Sequence, residues 1–79
     1  MSPEEYRRKL AFVVQLAGEY LITARSCGAD HMPYQRAIDT AETLMKVAKA
    51  PLTRANEEKI RTFLGLDMGV VVQSYQEVT

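Results

Sequence analysis

The chain has no tryptophan, one cysteine and one histidine. A single thiol excludes an intrachain disulfide framework and suits a reducing cytoplasm. One thiol and one imidazole cannot supply the four ligands of a structural zinc site. Net charge is also absent: Lys+Arg and Asp+Glu are 10 each. A neutral chain gives no electrostatic reason to take nucleic acid or an anionic membrane as its main partner. No apolar run approaches the ~20 residues of a membrane span. The N-terminus is acidic and its apolar residues are helically spaced, so no secretory signal is expected. No Gly-rich phosphate loop and no His-Glu-x-x-His pattern occurs. The sequence is therefore read as a cytoplasmic non-enzyme without cofactor or metal.

What is present is a globular composition. Of 79 residues, 47% are hydrophobic and 25% charged, which places residues 1–79 in one folded domain. A core of this size is marginal, and oligomerisation is a common remedy.

The organising stretch is Ser2 to Cys27. Ser2 caps a helix, Pro3 occupies its first position and Glu5 completes a capping box. Tyr6, Leu10, Val13, Ala17, Tyr20 and Ala24 recur every four or three residues, a stripe widened by Val14, Leu16 and Leu21. Gly28 ends it. About 24 residues make a rod of roughly 36 Å, longer than the ~30 Å width of a compact chain of this size. The back of the rod carries Ala11, Gln15, Gly18 and Ile22, with Phe12 further round. It reads either as a solvated face or as a second contact face. In the second case Phe12, Gln15, Gly18, Glu19 and Ile22 are the candidate partner-binding residues.

Asp30 is the candidate cap of a second helix from about Pro33 to Lys49. Its stripe is Tyr34, Ile38, Ala41, Met45 and Ala48, broadened by Ala37 and Leu44. The short connection favours an antiparallel hairpin. Pro51 ends this helix, and Thr53 caps a third from Arg54 to Leu64, with Ala55, Ile60, Phe63 and Leu64 as its apolar set. Gly65 is the expected terminator and Asp67 the cap of a fourth segment, Met68 to Glu77. That segment reads two ways. Leu64, Met68, Val71, Tyr75 and Val78 form a heptad seam if helical, while Gly69-Val70-Val71-Val72-Gln73-Ser74-Tyr75 has the composition of a strand. Either reading points toward dimerisation, with Leu64, Met68, Val71, Tyr75 and Val78 as the candidate dimerisation stripe. The expected fold is all-α, with three to four helices, a long N-terminal helix in an antiparallel hairpin, and completion by homodimerisation.

Three constellations carry other readings. Leu64-Gly65-Leu66 with Ile60 and Val71 fits the turn of a helix-turn-helix unit. Arg61 and Ser74 depart from that pattern, and the would-be recognition helix has no Lys or Arg. Cys27, Asp30 and His31 lie close together but lack the further ligands or orienting groups of a metal or catalytic site. Tyr6, Tyr20, Tyr34 and Tyr75 all fall on stripes, which assigns them to core or interface.

The capped start Ser2-Pro3-Glu4-Glu5 and the tail Gly69-Val70-Val71-Val72 carry a resemblance over the whole chain. In length and helical character it resembles the small proteins that phages use to inactivate a repressor or a defence complex. The resemblance implies an antirepressor, or an anti-CRISPR-like inhibitor, that acts by direct contact with another protein. The implied partner is a repressor or its DNA-binding domain, held off its operator. The competing reading is a small DNA-binding regulator using the Gly65 corner. The neutral charge and the acidic fourth segment give an expected outcome: purified protein produces no sequence-specific, salt-dependent gel shift.

Overall fold

The computed structural model describes residues 2–78, apart from the side chains of Leu66, Asp67 and Val78. The described residues form helices and no strand. In order they are α1 (Pro3–Cys27), α2 (Met32–Val47), α3 (Arg54–Thr62), a π-helical turn (Phe63–Asp67) and α4 (Met68–Val78).

Local chemistry sets the ends of α1. The Ser2 hydroxyl accepts the Glu5 N–H at 3.4 Å, and Pro3 begins the helix where an N–H would have no partner. Gly28 closes it at φ 72°, a left-handed conformation that only glycine adopts freely. The Gly28 N–H reaches the Arg25 carbonyl and the Ala29 N–H the Ala24 carbonyl, a complete Schellman closure. The start of α2 differs from expectation. His31 holds the capping position without a side-chain bond, while Asp30 Oδ1 accepts the Met32 N–H at 3.0 Å. Asp30 thus satisfies an orphan donor from one residue further out. The helix ends at Val47, two residues before Lys49, with the Ala48 N–H bonded to the Leu44 carbonyl. Thr53 caps α3 through the Asn56 N–H at 3.3 Å.

The largest departure is at Gly65. The helix does not stop there. Backbone bonding widens to i→i+5, with the Met68 N–H on the Phe63 carbonyl, and continues into α4. Gly65 is exposed, and nothing lies within 4 Å of where its Cβ would be. The poor α-propensity of glycine at an unpacked position makes a wider turn inexpensive, and a continuing helix still satisfies the backbone groups that a corner would expose. The segment from Met68 is therefore a helix, and the two-helix corner that a DNA-reading unit needs is not formed. The side chain of Asp67, the expected cap, lies outside the described residues.

The result is three rods. Tyr6, near the start of α1, donates its hydroxyl to Glu57 Oε1 near the start of α3, at 3.2 Å. Further along, Tyr20 stacks on Tyr75 of α4 with ring centroids 3.9 Å apart and planes 8° apart. α1 and the α3–α4 rod therefore run side by side in the same direction. α2 runs the other way. Pro33 and Ala37 line a hollow with Val70 and Val71, whereas Thr40 and Leu44 line another with Ala55 and Thr62. The molecule measures 41 × 17 × 16 Å, so α1 spans its length. Its radius of gyration is 13.0 Å, against ~11.6 Å for a compact chain of this size. Long rods, not a rounded core, set the shape.

One apolar cluster joins the rods. Tyr6, Leu10, Val13, Ala17 and Ala24 from α1 meet Tyr34, Ala37, Ala41 and Leu44 from α2 and Ile60, Phe63 and Val71 from the third rod, all buried. Ala55, placed in the apolar set by sequence, is exposed, while Leu52 is partly buried against the cluster. Alanines on the facing stripes of α1 and α2 let these helices approach closely, since interaxial distance follows side-chain size. Val71 is 2% exposed and its neighbour Val70 is 56% exposed. Val71→Asp is expected to unfold the protein or cost more than about 3 kcal/mol, because the carboxylate has no partner there. Val70→Asp should stay within about 0.5 kcal/mol of the parent. Urea denaturation of the two variants checks this contrast.

Candidate functional site

The five candidate partner-binding residues all lie on the outward side of α1. Phe12 is 60% and Ile22 68% exposed, Gln15 and Glu19 are exposed, and Gly18 is half-exposed. They face away because the opposite stripe from Tyr6 to Ala24 is spent on the core. Among the described residues no side chain fills the space over Gly18: its Cβ would meet nothing within 4 Å. A glycine at this interior position costs about 1 kcal/mol relative to alanine, and nothing inside the chain requires it.

The candidate dimerisation stripe is placed differently. Val71 lies in the core, and Tyr75 stacks on Tyr20 of the same chain. Leu64 and Met68 are half-buried against the same cluster. The Val78 side chain lies outside the described residues. The seam read from sequence is thus largely used between rods of one chain. A shallow groove brings the two candidate sets together at one place, where Phe12 of α1 sits with Leu64 and Met68, flanked by Arg8 and Lys9. The place of Arg8 and Lys9 beside Phe12 was readable from helical spacing, but the neighbouring Leu64 and Met68 required the tertiary fold. Met32 and Val70 are two further exposed apolar side chains outside both candidate sets.

At the far end of the bundle the tyrosines gather. Tyr20 meets Tyr34 edge-on at 6.0 Å and Tyr75 face-on. Tyr34 is fully buried, and its hydroxyl has no hydrogen-bond partner among the described residues. Burial, reinforced by Glu77, Tyr20, Asp30 and Tyr75, raises its pKa above the usual 10.0. Cys27, Asp30, Ser74 and Glu77 line the hollow outside it. Cys27 is exposed, and no group of three or more His, Cys, Asp or Glu among the described residues is arranged to hold a metal ion. Nor is any helix among them long and apolar enough to cross a membrane.

Among the described residues the charged side chains make two short-range ion pairs. Arg7 meets Glu4 and Arg61 meets Glu57, each at 3.3 Å and both solvent-exposed. Such pairs add little to stability. Their effect is local, and the Glu57 carboxylate shared between Tyr6 and Arg61 ties α1 to α3.

Compared with known proteins, the chain matches no protein-family model, no curated protein and no solved structure.

Tyr34 gives a pH test. Its pKa is raised in the folded state, so the folded protein keeps the proton to higher pH than the unfolded chain does. Its stabilising effect is complete below pH ~10 and is lost as pH rises through the folded-state value. Thermal melts should fall through the alkaline range. In Tyr34→Phe this fall should be shallower. At neutral pH the same variant should be neutral or slightly stabilising, by up to about 1 kcal/mol, because it removes an unsatisfied buried hydroxyl without leaving a cavity.

Proposed function

We propose that the chain is a small cytoplasmic regulatory protein that binds and inhibits another protein. Its best-fitting role is that of a phage antirepressor, sequestering a DNA-binding repressor. The observation that carries this reading is the division of α1 into two faces. One builds the core, and the other holds Phe12 and Ile22 at 60% and 68% exposure on a rigid 25-residue helix. Exposed apolar side chains contribute little to folding but dominate an interface once a partner desolvates them. A helix that presents exposed apolar side chains on its second face is a standard means of protein capture. The lone cysteine fits a reducing compartment. A homodimer is part of the proposal, since a chain this small gains stability by association.

The test takes a DNA-binding repressor recovered with the tagged chain by affinity purification from the source cell. Co-expression should yield a co-purifying complex, and the chain should release that repressor from its operator in a gel shift. Phe12→Ala and Ile22→Asp should weaken operator release about tenfold or more while helical circular dichroism persists. Cys27→Ser and His31→Gln should leave it unchanged. Loss of inhibition in a folded Cys27→Ser or His31→Gln protein would return the reading to thiol or metal chemistry.

A further inference from the structure

We infer that the outward face of α1 is self-complementary and pairs antiparallel with the same face of a second copy, with Gln15 at the twofold axis. Glu4, Arg8, Ala11, Gln15, Gly18, Ile22 and Arg25 recur every four and three residues along this face. That spacing is one helical stripe, and it is the stripe that the core does not use. All of its members are exposed except Gly18, which is half-exposed.

The order of residues along the stripe selects the orientation. Parallel pairing sets Glu4 beside Glu4, Arg8 beside Arg8 and Glu19 beside Glu19, all like charges. Antiparallel pairing about Gln15 reverses this. Arg8 of one copy comes alongside Ile22 and one turn from Glu19 of the other, and Glu4 comes alongside Arg25. Ala11 falls opposite Gly18, and small side chains on that flank let the helix axes approach closely. Phe12 falls beside Glu19 on the other flank, where its ring can cover the carboxylate's aliphatic stem. The Gln15 amides meet and can donate and accept across the axis. Each contact off the axis occurs twice, as in any isologous interface. The open space over Gly18 then has an occupant, which accounts for a glycine that the single chain does not need.

This face is also the one offered above to a protein partner. Self-pairing and capture therefore exclude each other, and free protein is held closed until a partner displaces the second copy. That consequence rests on the proposed function; the dimer does not.

Sedimentation equilibrium of the full chain across the micromolar range should show a monomer–dimer equilibrium. Arg8→Glu and Glu19→Arg should each weaken it about tenfold or more, because symmetry repeats every loss. Combining the two should restore it, since the charges are exchanged between copies. The native Cys27, which is exposed, takes a spin label outside the stripe. Antiparallel pairing places the two labels about 36 Å apart along the helix axes, whereas parallel pairing places them within about 10 Å plus linker length. A monomer at every concentration, a short label distance, or a dimer indifferent to the charge exchange overturns the proposal. A dimer that passes these tests beside repressor inhibition that ignores Phe12 and Ile22 rejects the functional reading and keeps the dimer. The opposite pair of results rejects the dimer alone.

Discussion

Two tyrosine contacts at opposite ends of α1 hold the rods in register. Tyr6 binds Glu57 at one end and Tyr20 stacks on Tyr75 at the other. A slip of α1 by one turn, about 5.4 Å, breaks both at once. Between them the contact surface is mostly leucine, valine and alanine, which can slide more readily than a hydrogen bond or a stacked ring pair. A stacked aromatic pair contributes roughly 0.5–1.5 kcal/mol beyond its buried area, and it does so only in one geometry. The parallel alignment of α1 with the third rod thus depends on directional contacts placed at the ends of an otherwise non-directional core.

The π turn belongs to the same constraint. α1 needs a partner rod of comparable length, and α3 alone is 9 residues. Carrying the helix through Phe63–Asp67 into α4 supplies that length and keeps Phe63 and Val71 in the core and Tyr75 against Tyr20. Ending the helix at Gly65 would leave Tyr20 without its stacking partner and expose backbone groups at a corner. The long rods have a cost in shape: 41 Å of length over 17 Å of width leaves much surface for few core residues. This is the physical setting in which a second face on α1, with Phe12 and Ile22 exposed on it, is available for association.

The tyrosine end shows how chemistry-bearing residues can be absorbed into architecture. Tyr34 is fully buried with no hydroxyl partner among the described residues, yet Tyr20 packs edge-on against its ring and is itself stacked on Tyr75. The apolar body of the side chain is what the core uses, and the hydroxyl is carried with it at a desolvation cost.

Much of this was legible in the chain. Ser2, Pro3 and Gly28 mark α1, and Thr53 marks the start of α3, because capping and left-handed closure are local chemistry. The stripes of α1 and α2 identify their buried residues, because burial follows helical period. The same period names Phe12, Gln15, Gly18, Glu19 and Ile22 as the outward set by subtraction. What sequence could not decide was non-local. Gly65 looks like a terminator because propensity is local, whereas the surrounding helices favour continuation. Val71 and Tyr75 look like an interface because a stripe shows only that a face is buried, not whether the covering surface belongs to the same chain. The segment from Met68 has the composition of a strand, and only the presence of α1 and α2 beside it makes a helical face the better way to bury Val71. Local bonding and period were set by the residues themselves; direction, continuity and the identity of the neighbour were set by how the rods pack.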